Sequence, residues 1–223
     1  MSPKVRVVIL EDEALYRDLL RIVLSQHSRL EVVGSFGDAQ AAVEEIPALE
    51  PEVAVLDIDL GGGPNGIQVG LAVREKLPNA GIVLLSNHAN PELLSVLPQD
   101  AISGWSYLLK RSVSDVEALE RAIEGAAEGM VVLDPRLVRA MQPRPGTALD
   151  RLTPRQRDVL ALTAQGFSNA AIAARLSLAE KSVENQINQL YQQLQIDRRQ
   201  GALHPRVRAV LLYLRESRFA EAD

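Results

Sequence analysis

Four apolar runs in this chain each end on a residue able to do chemistry. Val5–Leu10 leads into Glu11 and Asp12, Val53–Leu56 into Asp57, Ile82–Leu85 into Ser86, and Tyr107–Leu109 into Lys110. Clustered carboxylates make a hard-oxygen site suited to Mg²⁺, which takes a few carboxylates and keeps several waters. A carboxylate held beside such an ion can attack a phosphoryl group and become an aspartyl phosphate. An ammonium offsets charge on the transferring group, and a hydroxyl donates to one of its oxygens. Singly these residues say little, because an Asp after a strand is commonly a turn former or a helix cap. Their weight is joint: suitable residue types stand at every one of these strand ends.

For the ends to converge, the runs must be strands pointing the same way. Continuous Val/Ile/Leu runs are what strands buried on both faces require. A further run, Leu30–Phe36, makes five, and the runs alternate with helix-spaced patterns. Glu13–Gln26 carries Leu15, Leu19, Ile22 and Val23 on one face, and Ala39–Leu49, Ile67–Leu77 and Asp115–Ala127 repeat the pattern. Five strands alternating with five helices predict an α/β fold, a five-stranded doubly wound parallel sheet with its ligand at the carboxyl ends of the strands.

The second part of the chain is built differently. A short helix is expected within Val131–Met141, and Gln142–Thr147, with two prolines and a glycine, reads as a linker. Pro154–Gln165, Ser168–Leu176, Glu180–Gln195 and Arg206–Ser217 read as four helices with no strand among them. Thr153 as N-cap and Pro154 in the first turn start the first of these, and Gly166 can close it. Val159, Leu160, Ile172, Leu176, Val183, Ile187 and Leu190 can form one small core. The expected boundaries are 1–128, a linker over 129–150, and 151–223.

Composition narrows the classes. The chain is 47 % apolar and 24 % charged, the mix of a soluble globular protein. It has no cysteine, which excludes disulfides, thiolate metal sites and a Cys nucleophile. No apolar run approaches the ~20 residues that span a bilayer, and Met1–Lys4 leads straight into a strand. No membrane association and a cytoplasmic location are therefore expected. Residues 1–150 hold 13 Lys+Arg against 22 Asp+Glu, a balance of −9, and residues 151–223 hold 11 against 7, a balance of +4. If either part meets a polyanion it is the second, although +4 is also ordinary surface charge.

The segments VVILEDE, VAVLDID, IVLLSN and SYLLK together resemble the receiver domain of response regulators, over about residues 4–128. The resemblance implies a flavodoxin-like fold with Asp57 as phosphoacceptor. It implies Mg²⁺ bound directly by Asp12 and Asp57, by Glu11 through water, and by the backbone carbonyl of Asp59. Ser86 and Lys110 would hold the phosphoryl group. Tyr107 would be an aromatic switch that turns inward with Ser86. His88 and Asp59 would set water access and the lifetime of the phosphoryl group. The chain departs from the family in a longer, glycine-rich loop over Leu60–Gly66, in Ser106 for a usual glycine, and in Arg111 for a frequent proline.

Residues 152–196, LTPRQRDVLALTAQGFSNAAIAARLSLAEKSVENQINQLYQQLQI, closely resemble the LuxR-type helix-turn-helix of the NarL/FixJ family. That implies an all-α, four-helix DNA-binding domain whose recognition helix turns Lys181, Ser182, Glu184, Asn185, Asn188 and Gln189 toward the major groove. Glu184 and Gln186 stand where Lys and His are common, Asn188 replaces another Lys, and Ala179 replaces the usual Ser or Thr N-cap. Asn and Gln can read adenine edges and Glu can accept from cytosine, but a Glu facing phosphate repels it. Arg151, Arg155, Arg157, Arg198 and Arg199 can supply phosphate contacts from outside the helix. The last helix, with Val207, Val210, Leu211 and Leu214, would be a dimer contact, and Trp105 a second point of self-association. The resemblance thus implies a phosphorylation-regulated transcription factor, a switch and not an enzyme. A sensor histidine kinase would charge it, and a homodimer formed on activation would bind double-stranded DNA. Glu184 and the weak positive charge keep open an alternative: a regulator whose C-terminal domain acts mainly through protein–protein contacts.

Overall fold

A computed structural model describes residues 3–89, 101–113, 115–197 and 203–219. Their contacts divide them into two compact units, one within 1–89 and 104–129, the other within 90–103 and 130–223.

The first unit contains β1 (Val5–Leu10), α1 (Ala14–Gln26), β2 (Leu30–Phe36), α2 (Ala39–Leu49), β3 (Val53–Asp57), α3 (Gly66–Lys76), β4 (Gly81–Ser86), β5 (Trp105–Leu109) and α4 (Val116–Ala127). The strands form one sheet in the order β2-β1-β3-β4-β5 with every neighbouring pair parallel, as the apolar runs predict. All residues of β3, β4 and β5 are buried, and each buried Val, Leu or Ile side chain contributes roughly 1.5–3 kcal/mol. Three helices of this unit start with side-chain caps: Asp38 accepts from Ala41 N–H, Asn65 and Gln68 form a capping box, and Asp115 accepts from Ala118 N–H, whereas α1 opens at Glu13 without one. The fifth helix expected from the sequence would fall between β4 and β5, where residues 90–100 lie outside the described residues.

Two sequence expectations are corrected here. Leu15, Leu19 and Ile22 do not make the packed face of α1; they are 79 %, 48 % and 51 % exposed. The helix buries Leu20 and Leu24. So many apolar residues crowd this segment that two stripes both satisfy helical spacing, and the Leu20/Leu24 stripe is the one that meets the sheet. Trp105 is not a point of self-association, because it is fully buried. Its ring lies against Gly70 of α3, where an added Cβ would come within 2.7 Å of it.

The second unit contains α5 (Pro135–Ala140), β6 (Met141–Pro143), α6 (Pro154–Ala164), α7 (Asn169–Leu176), α8 (Glu180–Gln193), α9 (Pro205–Glu216) and β7 (Ser217–Phe219). Val159, Leu160, Ile172, Val183 and Leu190 are at most 2 % exposed, with Ile187 at 9 % and Leu176 half-buried. On α9, Val207, Val210 and Tyr213 are buried, and Leu211 and Leu214 lie half-buried at the edge.

The stretch 129–150, expected to be a linker, supplies structure to this unit. Leu133, Leu137 and Val138 are buried, and Leu133 N–H donates to the Ala164 carbonyl. β6 pairs antiparallel with β7, Met141 opposite Phe219, so a strand does follow α9. Three-residue strands carry no readable alternation, and their pairing joins residues far apart in the chain. Within the segment read as a linker, Gly146 lies in the left-handed region at φ +80°.

Candidate functional site

The strand register assembles the acidic rim. Leu10 pairs with Leu56, so Glu11 and Asp57 leave β1 and β3 side by side; Ser86 pairs with Leu109, so Lys110 follows at the next position. Asp57 is held tightly from behind: α3 begins so close to the end of β3 that a Cβ at Gly66 would lie 2.1 Å from the Asp57 carbonyl oxygen.

Glu11, Asp57 and Ser86 are almost wholly buried, at 0 %, 1 % and 2 % exposed. Lys110 Nζ bridges the two acids, 2.9 Å from Glu11 Oε1, 2.8 Å from Glu11 Oε2 and 3.0 Å from Asp57 Oδ2. Asp57 Oδ1 accepts the Asp59 N–H at 3.1 Å. Asp12, exposed, accepts the Gly61 N–H at 2.9 Å, so the glycine-rich loop folds over the rim. Ligand oxygens of Glu11, Asp12 and Asp57 all lie within 4.8 Å of one another. Glu11 Oε2 and Asp57 Oδ2 are buried and lack a well-aligned hydrogen bond despite their nearness to the ammonium. Each of these oxygens, although close to the ammonium, carries a second lone pair for a hard cation, and the donor set fits Mg²⁺.

Electrostatics follow from this geometry. Burial raises the Glu11 carboxyl above its ordinary value, Lys110 opposes that by hydrogen bonding, and the Asp57 charge adds to it. Burial alone would lower Lys110, but its hydrogen bonds and charge contacts with Glu11 and Asp57 outweigh burial and raise it. The result is a compact ion triad with its lysine charged.

Ser86 Oγ accepts the His88 N–H at 3.1 Å, which leaves the serine's own proton free to donate. Tyr107 is fully buried, and its hydroxyl donates to the His88 carbonyl at 2.5 Å. His88 therefore joins Ser86 to Tyr107 through its main chain, while the side chains of His88 and Asp59 are exposed.

Two residues at this rim escaped the sequence reading. Arg17 Nη1 donates to the carbonyls of Glu11, at 2.6 Å, and Asp12, at 3.2 Å, fixing the loop that carries both acids. The Tyr16 hydroxyl donates to the Lys110 carbonyl at 3.1 Å, and Lys110 Nζ lies 5.0 Å from the centroid of the Tyr16 ring. Burial, followed by the nearby Glu11, Asp57 and Glu13 charges, pushes the Tyr16 phenol up, so it stays a neutral donor. The available signal was position: the first turn of a helix that follows the acid loop must lie beside the strand ends.

In the second unit, α6 opens with a Thr153/Gln156 capping box and α7 with Ser168 accepting from Ala171 N–H, whereas α8 opens at Ala179 with no side-chain cap. Ala179→Ser is expected to stabilise this unit by about 1 kcal/mol, read as a higher urea midpoint for its transition. No rise means that the first-turn N–H groups gain nothing from a hydroxyl. On α8, Lys181, Ser182, Asn185, Asn188 and Gln189 are exposed and Glu184 partly so. Lys181 Nζ lies 2.7 Å from Glu184 Oε2, so the helix's one lysine is held by its own carboxylate. Arg155 donates to the Leu176 carbonyl and supports the turn between helices. Arg151 and Arg157 are exposed, and Arg198 and Arg199 lie outside the described residues.

Comparison with known proteins covers both units. The family described as "Response regulator receiver domain" matches residues 7–124, and "Bacterial regulatory proteins, luxR family" matches residues 150–205. The chain is 35 % identical to "Probable transcriptional regulatory protein NarL" of Mycobacterium tuberculosis, over 94 % of this chain and 96 % of that protein. It is 31 % identical to "DNA-binding transcriptional activator DevR/DosR" of the same organism, over 89 % and 92 %. In fold it is similar to a solved structure of two RcsB dimers bound to two parallel DNAs, with TM-score 0.53 and 24 % identity over 96 % of this chain and 98 % of that one.

Proposed function

The chain belongs to the response regulators that join a receiver domain to a LuxR-type DNA-binding domain, and from that premise we propose how its residues carry the switch. Asp57 is the phosphoacceptor. A carboxylate oxygen of Asp57 attacks the phosphorus of a phosphohistidine on a sensor histidine kinase. The P–N bond breaks as the P–O bond forms, and the departing imidazole keeps the electron pair and takes a proton. Glu11, Asp12 and Asp57, with the Asp59 carbonyl, would hold Mg²⁺, which supplies positive charge against the transferring group. Lys110 and Ser86 bind the phosphoryl oxygens, Lys110 as a point charge and Ser86 through its free proton. The observation that carries this reading is the Lys110 ammonium spanning Glu11 and Asp57 in a buried rim.

Phosphorylation then shifts a pre-existing equilibrium. When Ser86 moves toward the phosphoryl group it draws on the His88 main chain, and Tyr107, bonded to the His88 carbonyl, follows. The active state dimerises in the cytoplasm and binds paired DNA half-sites, about one helical turn apart, with Asn185, Asn188 and Gln189 reading bases. The protein acts as a switch and not as a turnover enzyme.

The Lys181–Glu184 pair favours a second reading, in which the C-terminal domain works mainly through protein contacts. Selection of DNA sequences by the full chain, with and without beryllofluoride as phosphoryl mimic, separates the two. Specific binding that strengthens with the mimic, and whose logarithm falls with log salt by about 0.9 per phosphate contacted, supports the first. Absence of any enriched sequence in either state supports the second.

A further inference from the structure

We propose that Tyr16 is the positioning residue for Lys110, acting on the lysine's backbone and on its ammonium at once. The inference rests on the reading of Asp57 as phosphoacceptor and adds a group to it.

Lys110 has a demanding task. Its ammonium lies between two buried carboxylates, and it must trade those contacts for phosphoryl oxygens without leaving the rim. It sits where β5 ends and a 3₁₀ turn over Lys110–Ser112 begins, so its backbone is not fixed by the sheet ladder. Its carbonyl accepts the Val113 N–H within that turn and the Tyr16 hydroxyl from across the rim. The hydroxyl donates to the Lys110 carbonyl at 3.1 Å, and the same ring lies 5.0 Å from Nζ. With Glu11 on one side and Asp57 on another, the aromatic face closes a third side of the ammonium. It attracts the charge without offering a further anion, so it confines Nζ to the rim and does not compete with phosphoryl oxygens. Tyr16 can do this because it shares a helix face with the buried Leu20 and Leu24, and that packing anchors the ring. Arg17, the next residue, ties the opposite side of the rim through the Glu11 and Asp12 carbonyls. One turn of α1 therefore braces both the acid loop and the lysine.

The test is phosphorylation of the full chain by acetyl phosphate, followed by intact mass and resolved into donor and Mg²⁺ dependence. Tyr16→Leu is expected to slow phosphorylation about tenfold, the size of a partly desolvated cation–π contact and a hydrogen bond together. Tyr16→Phe keeps the ring and is expected to slow it only about threefold. Half-saturation by Mg²⁺ stays within about twofold of wild type, because the acid cluster is untouched. On a Lys110→Met background in saturating Mg²⁺, Tyr16→Leu has no further effect. The inference is overturned if Tyr16→Leu keeps the wild-type rate, if its effect persists on the Lys110→Met background, or if Mg²⁺ half-saturation rises in step with the lost rate. Asp57→Asn run alongside keeps the two readings apart: phosphate incorporated by that variant sinks the phosphoacceptor assignment, whatever Tyr16 does.

Discussion

Asp57→Asn takes up no phosphate from acetyl phosphate or from a histidine kinase, a loss of at least about 10³-fold. An amide has no anionic oxygen to form the acyl phosphate bond, and removing a covalent nucleophile leaves no alternative route for the step. The substitution is mild in every other respect. The Asn oxygen still accepts the Asp59 N–H that Asp57 Oδ1 accepts now, and the volume of the residue, which is 1 % exposed, is kept. The fold should survive, so the loss reports chemistry. The neighbouring acids provide the contrast. Asp12→Asn retains the nucleophile and should phosphorylate at raised Mg²⁺, because an exposed metal ligand is weakened and the attacking oxygen is not. Intact mass and peptide mapping decide the matter. Phosphate on Asp12 or Glu11 in the Asp57→Asn chain at wild-type stoichiometry would falsify the assignment.

Why the first unit was so legible, and where legibility stopped, follows from what each residue's role depends on. β3, β4 and β5 are buried on both faces, so their Val/Ile/Leu runs could be read without knowing any partner. Once the strands are parallel neighbours, the rule that ligands sit at strand carboxyl ends brings Glu11, Asp57, Ser86 and Lys110 together. Helix faces were harder. α1 has two apolar stripes, and only the position of the sheet selects Leu20 and Leu24 over Leu15, Leu19 and Ile22. Tyr16 was invisible for a related reason: its function lies in a contact with a carbonyl 94 residues away. The β6–β7 pair joins Met141 to Phe219 through strands too short to show a period. On α8 the sequence supplied the outward residues, but only the rotamers show Lys181 bound to Glu184.

Lys110→Met should cost the cation-free protein about 3 kcal/mol at pH 7, from a total stability of roughly 5–15 kcal/mol. Methionine keeps the stem of the lysine and removes its charge. What remains is Glu11 and Asp57, buried and adjacent, with nothing between them. Breaking a buried ion pair from one side costs ~3–5 kcal/mol, but the protein has an escape, since Glu11 can take up a proton. Its ordinary value is 4.5, and holding a carboxyl neutral up to pH 7 costs about 1.4 kcal/mol for each pH unit above that value, which caps the loss at about 3.5 kcal/mol. The sign with pH is then fixed. Burial already raises Glu11 in the wild type, and losing Lys110 raises it further. A carboxyl raised on folding binds more protons in the folded than in the unfolded chain, so stability falls as pH climbs from 4.5 toward the raised value. The deficit of Lys110→Met should therefore be smaller at pH 5 than at pH 7. Wild type has the complementary limit, because Lys110 is itself raised from 10.5. Its contribution is whole below 10.5 and is lost as pH rises through the raised value. Mg²⁺ should restore the variant more than it stabilises wild type, since the cation replaces a charge that the variant lacks and binds only the folded rim. Urea unfolding in EDTA and in Mg²⁺, at pH 5 and 7, tests each step. Equal stabilities of the two chains at pH 7 in EDTA, or a deficit that does not narrow at pH 5, would show that Lys110 is not what holds the two acids together.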